Sequence, residues 1–244
     1  MKTAAVAPST VSARRPTAAD VVMSKQSRTV PPLPQTQTVL PMAAAPVTAE
    51  PSRESEFRLA LYYQRTGDFE LALVHYKAVL QRDEMNGQAH TNVGILYMSK
   101  GLYEDAAREF RRVVAVEPKY ATAHVNLSAA LFQLKRYDEA AAEARAALRL
   151  DPRNADAYVN LALAQASGGQ MGDAQGSLTR ALEIDRHNAA AHYNLALQYE
   201  KTGEIAMALD HYRAFLQYAG PDQAGYAADV RSRVEALEAR REAR

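Results

Sequence analysis

Residues 87–120 read GQAHTNVGILYMSKGLYEDAAREFRRVVAVEPKY, and residues 121–154, ATAHVNLSAALFQLKRYDEAAAEARAALRLDPRN, repeat the pattern 34 positions later. The alignment extends in both directions. Alanine recurs at 72, 106, 140, 174 and 208, and glycine at 67, 101, 169 and 203, with Lys135 at the missing step. Leu59, Val93, Leu127, Leu161 and Leu195 keep the register, as do Tyr63, Tyr97 and Tyr199, and Phe69, Tyr103 and Tyr137. A fixed period of this length marks an array of small units, each of which buries its apolar surface only by stacking on its neighbours.

Each unit divides into two helices. Val93, Gly94 and Tyr97 fall on one helical face. Lys100-Gly101-Leu102-Tyr103 makes the turn, where glycine accepts the left-handed backbone that ends a helix. The recurring alanine sits one turn into the second helix and lets the two helices approach closely. Phe110, Val113 and Val114 continue that helix until Pro118, like Pro152 one unit later, stops it for want of an amide hydrogen.

The period, the small-residue positions and the Glu117-Pro118 and Asp151-Pro152 ends resemble the tetratricopeptide repeat (TPR) family, whose unit is a helix-turn-helix of this length. The resemblance implies an all-α fold, a right-handed α-solenoid of five repeats at 53–86, 87–120, 121–154, 155–188 and 189–220. Pro221 and Asp222 are expected to open a capping helix over 221–244, whose stripe of Tyr226, Val230, Val234 and Leu237 covers the last unit.

Residues 1–52 hold eight of the eleven prolines and neither glycine nor an aromatic residue, so they are expected to form a disordered tail. Val30-Pro31-Pro32-Leu33-Pro34 favours an extended polyproline spacer. The tail carries five basic residues against two acidic, which leaves 24 against 26 for the rest. The array therefore offers no basic stripe for nucleic acid. Zero cysteine excludes disulfides, a cysteine nucleophile, thiolate metal sites and an acylated cysteine. No apolar run of signal-peptide or membrane-spanning length is seen, so membrane insertion is not expected and a cytoplasmic location is.

Catalytic motifs are missing as well: there is no glycine-rich phosphate loop, His-Glu-x-x-His or nucleophile elbow, and a non-enzymatic protein without cofactor is expected. Where the family carries tryptophan, this chain has Glu56, His90, His124, Tyr158 and His192. Three histidines at one periodic position suggest metal. However, first helices about 8–10 Å apart cannot bring three rings within about 2 Å of one ion, so the row is read as packing.

In the family resembled, first helices line a concave groove for a peptide or partner segment. Carried onto this sequence, that groove takes in Thr91, Val125, Val159 and Tyr193, then Ile95, Leu163 and Leu197, then Met98 and Phe132. Between these rows runs asparagine at 92, 126, 160 and 194. An asparagine amide both donates and accepts, so it can pair with the backbone of an extended peptide whatever its side chains. The row resembles the asparagine ladder in the TPR superhelix of the eukaryotic O-linked N-acetylglucosamine transferase, whose catalytic domain has no counterpart in this sequence; the competing reading is a bond to a neighbouring helix. The two-carboxylate clamp of chaperone cochaperones needs cations around the asparagine and finds Val125, Thr122 and Asp156 instead.

The function expected is thus an adaptor whose groove, through Asn92, Asn126, Asn160 and Asn194 and the apolar rows, binds an extended segment of another protein. The alternatives are a self-assembling scaffold in which the tail of one copy enters the groove of another, and an assembly factor for a pilus or envelope complex. The small TPR pilotins of that last class depend on an export signal and an acylated cysteine that are not seen here. The fourth unit alone has glycine in its second helix, at 172 and 176, which suits either a hinge or close packing against the next helix.

Overall fold

The computed structural model describes residues 52–242; the tail, its polyproline segment and the expectation of disorder lie outside the described residues. Within them ten helices run in antiparallel pairs: α1 (Arg53–Thr66) with α2 (Phe69–Arg82), α3 (Gly87–Ser99) with α4 (Tyr103–Val116), α5 (Ala121–Gln133) with α6 (Tyr137–Leu150), α7 (Ala155–Ser167) with α8 (Met171–Ile184), and α9 (Ala189–Thr202) with α10 (Ile205–Tyr218). α11 (Ala224–Glu242) follows, and no strand occurs among the described residues. The molecule is an α-solenoid.

The periodic small residues do what their size requires. Ala72, Ala106, Ala140, Ala174 and Ala208 are all fully buried, so a larger side chain at any of them would enter the contact between paired helices. At the turns Gly101 and Gly169 have φ of 73° and 83°. Lys135 takes the same left-handed backbone with φ 61°, at a cost of about 1–2 kcal/mol for a side chain with a Cβ.

Helix starts use a second asparagine row that the ladder overshadowed. Asn86, Asn154 and Asn188 each accept a hydrogen bond from the amide three residues on, satisfying one of the first helix's unpaired donors.

The two ends of the described array differ. At the C-terminal end Pro221 sits in a short 3-10 turn, Pro221–Gln223, so the last helix begins later than the sequence suggested, at Ala224. Its Val230 and Leu237 are buried with Tyr212 and Phe215, and Tyr226 and Val234 pack at the edge of the same core. At the other end Leu59 is 39% and Tyr62 60% exposed, whereas their register mates Val93 and Leu96 are buried against the first repeat.

Gly172 and Gly176 do not serve close packing. Both are exposed on a continuous α8, and a Cβ at either would meet nothing within 4 Å. Gly172→Ala with Gly176→Ala should therefore stabilise the fourth repeat, each by roughly 0.5–1 kcal/mol. Amide exchange checks this: residues 170–184 should exchange faster than 104–117 in the native chain and slow in the double variant. Equal rates before substitution would remove the case for a flexible fourth repeat.

Candidate peptide-binding groove

The first helices α3, α5, α7 and α9 carry the predicted residues at different depths. Asn92, Asn126, Asn160 and Asn194 are each no more than 5% exposed. Their amides have different fates. Asn160 Nδ2 donates to the Val125 carbonyl of α5 at 3.1 Å, a bond between neighbouring repeats, and Asn194 Nδ2 donates to Ala190 O in its own helix at 2.7 Å. The Nδ2 group of Asn126, by contrast, is buried without an acceptor, as is Gln133 Nε2, which sequence reasoning did not single out, while Asn92 lies against the Tyr76 phenol.

Among the apolar positions, Thr91, Ile95, Met98, Val125, Val159, Leu163 and Tyr193 are buried, Val159 completely. Thr91 Oγ1 donates back to Gly87 O at 2.8 Å. Tyr193 turns toward the second helix of its repeat, its ring centroid 5.3 Å from that of Phe215. Phe132 and Leu197 are half-buried.

Four of the predicted residues meet in one cavity. A pocket of about 260 Å³ spans three successive repeats, with Phe132 from α5, Leu163 from α7, and Asn194 and Leu197 from α9 in its wall. Met171 and Leu178 of α8 complete the apolar lining, and Lys201 is the only charged residue in it. The space suits a large apolar side chain, and the cation at the wall disfavours a second positive charge beside it.

Behind the groove, polar contacts lock each helix pair. Tyr212 donates to Glu200 at 2.5 Å, and Arg233 of α11 reaches the same carboxylate at 3.1 Å. Burial above all, then the hydrogen bond to Glu200, raises the Tyr212 phenol well above its ordinary range. Tyr76 likewise donates to Gln64 at 2.6 Å, and its phenol is raised by burial, an effect that Asn92 partly offsets.

The histidine row is resolved by partners 19 residues downstream. His90 Nδ1 lies 2.6 Å from Glu109 and His124 Nδ1 2.6 Å from Glu143, while in the first repeat the order is reversed, His75 Nδ1 lying 2.6 Å from Glu56. Glu109 also takes Arg112 at 2.8 Å and is buried. Each of these three pairs ties the first helix of a repeat to its second.

Comparison with known proteins agrees with this architecture. The tetratricopeptide repeat model matches residues 57–107, 93–155, 137–174 and 159–224. A crystal structure of MamA is 27% identical and covers 66% of this chain and 94% of its own, with a TM-score of 0.57. A thermophilic TPR protein of Thermus thermophilus is 23% identical over 76% of this chain and 98% of its own, with a TM-score of 0.63. PilW, described as a widely conserved type IV pilus biogenesis factor, is 22% identical over 80% and 94%, also with a TM-score of 0.63. No curated protein matches significantly. No helix among the described residues is long and apolar enough to cross a membrane.

Proposed function

Because the chain belongs to the tetratricopeptide repeat family, whose arrays are modules for binding other proteins, we propose that it is a non-enzymatic adaptor holding an extended segment of a partner protein in its groove. The observation that carries this reading is the pocket of about 260 Å³ in which Phe132, Leu163, Asn194 and Leu197 converge from three repeats. An apolar side chain of the partner fills it. The remaining rows, Thr91, Ile95, Met98, Val125, Val159 and Tyr193, shape the surface on either side. Asn126 keeps an amide donor without an acceptor, and it is the rung of the ladder with a hydrogen bond to offer. A reducing, cytoplasmic setting belongs to the same reading, on the absence of cysteine.

A photo-crosslinking residue at position 197 tests it. Specific adducts with one partner from 197 and from 132, but not from the outer-face position 179, are expected; equal labelling from all three would overturn the assignment. The asparagines separate by their bonds. Asn126→Ala should weaken partner binding with little change in melting, whereas Asn160→Ala, which loses the bond to Val125, should lower stability by roughly 0.5–1.5 kcal/mol. Calorimetry of binding and of unfolding on the two variants reads both effects.

Self-association is the second reading, favoured by Leu59 and Tyr62, exposed where their register mates are buried. Light scattering on the full chain decides: a mass that rises with concentration and falls back in Tyr62→Asp supports it, and a constant monomer mass removes it.

A further inference from the structure

The fifth repeat keeps the histidine of the row but changes its partner. At the position where the second and third repeats pair histidine with glutamate, His192 faces His211, with the two Nδ1 atoms 2.9 Å apart. One of the two nitrogens must carry a hydrogen and the other a lone pair. His192 Nε2 lies 3.1 Å from the Arg186 carbonyl, which only accepts, so the His192 hydrogen sits on Nε2. Its Nδ1 is therefore the acceptor, and His211 Nδ1–H is the donor.

The two kinds of pair differ in how many protons they accept. Between imidazole and carboxylate, a proton on the ring adds charge attraction to the hydrogen bond. In the histidine pair a first proton can go to His211 Nε2 and leave the Nδ1–H···Nδ1 bond intact, but a second, at His192 Nδ1, would set N–H against N–H and place two like charges about 3 Å apart.

The surroundings do not compensate. Tyr199 of α9 stacks on the His211 ring at 5.5 Å, and Tyr218 of α10 lies 5.8 Å from the His192 ring. The Arg186 carbonyl and Asp185, which caps α8, favour charge on His192, and Asp210 in α10 favours it on His211, while His187 opposes charge on His192 and His192 opposes it on His211. Burial is the largest influence on both, and with it His192 and His211 are held below the ordinary histidine value of 6.5.

We propose that the His192–His211 contact makes the fifth repeat an acid-sensitive joint, at which α9 and α10 come apart while the repeats with histidine–glutamate pairs stay closed. The unfolded pair takes up protons below about pH 6.5 that the folded pair refuses, so the contribution is complete above that value and is lost as pH falls. α9 supplies Asn194, Leu197 and Lys201 to the pocket, so acid would also release a bound segment. That consequence rests on the proposed function; the opening itself does not.

Amide exchange of the full chain at about pH 7.5 and about pH 5.5, corrected for the intrinsic pH dependence of exchange, tests the joint without any partner. Protection over residues 189–218 should fall by up to about tenfold for each proton that the folded pair refuses, while residues 87–116 and 121–150 hold theirs. His211→Glu recreates the pair of the second and third repeats and should abolish the acid loss. His211→Gln, which does not titrate, should reduce the acid loss to the part due to buried His192, and serves if the glutamate variant folds poorly. Protection that survives acid in the native chain, a loss shared by all repeats, or a loss unchanged in both variants would overturn the proposal.

Discussion

Phe110→Ala should lower the unfolding free energy by about 3–5 kcal/mol, the usual cost of deleting a fully buried aromatic ring. The ring is only 1% exposed and lies in the core shared by α3 to α7. Its counterpart across the helix pair is Gly94, where an added Cβ would come 2.5 to 2.9 Å from three ring carbons. Gly94→Ala therefore reverses the usual sign. The substitution normally gains about 0.8–1 kcal/mol in a helix, but here overpacking of about 1–3 kcal/mol outweighs it because the enclosed ring cannot step aside.

At the same register the fourth repeat carries Ala162 and Leu178, both buried. Gly94→Ala with Phe110→Leu reproduces that combination in the second repeat, so the double variant should be more stable than the sum of the single losses allows, by about 0.5–3 kcal/mol. Urea unfolding of the four proteins measures the coupling. Strict additivity would mean that Gly94 and Phe110 are not matched in shape.

Val230→Asp is the other substitution with a large expected effect. Val230 is fully buried in the apolar core it shares with Tyr212 and Phe215 of α10. An unpaired charge is not tolerated in such a site, and the cheapest escape is for α11 to detach. The loss is then bounded by the burial of Val230 and Leu237, about 1.5–3 kcal/mol each, and of what they cover. A lower melting temperature with fast amide exchange over 224–242 and retained protection over 103–150 is expected. An unchanged melting temperature would show that α11 adds nothing to the array.

The architecture was readable from rows of small residues because glycine at a left-handed turn and alanine at a helix crossing are dictated by the backbone itself. Asn86, Asn154 and Asn188 were equally periodic, but their role as caps depends on where each helix begins. The pairing of His90 with Glu109 needed a different offset, 19 residues, which emerges only when one helix is folded back on the other. At the groove, spacing placed residues on a helical side without saying how deep they lie. Val159 ends fully buried, and the long side chain of Tyr193 reaches across to Phe215, so rows of equal register are not rows of equal access. The four asparagines illustrate the same limit, since identical residues at identical spacing bond a neighbouring repeat at Asn160, their own helix at Asn194 and no acceptor at Asn126.

The unequal ends of the array bear on how it breathes. The first repeat leans on one described neighbour, and its Leu59 and Tyr62 remain exposed; every later repeat is held on both sides, the fifth by the fourth and by α11. In a chain of nearest-neighbour contacts, fraying from α1 and α2 breaks one junction, whereas opening elsewhere breaks two. At neutral pH the array is thus a zipper with a stop at one end. Fluctuations that enter at the N-terminal repeat weaken inward, and the pocket built by the last three repeats instead feels those of α8, which carries Gly172 and Gly176 between the lining residues Met171 and Leu178.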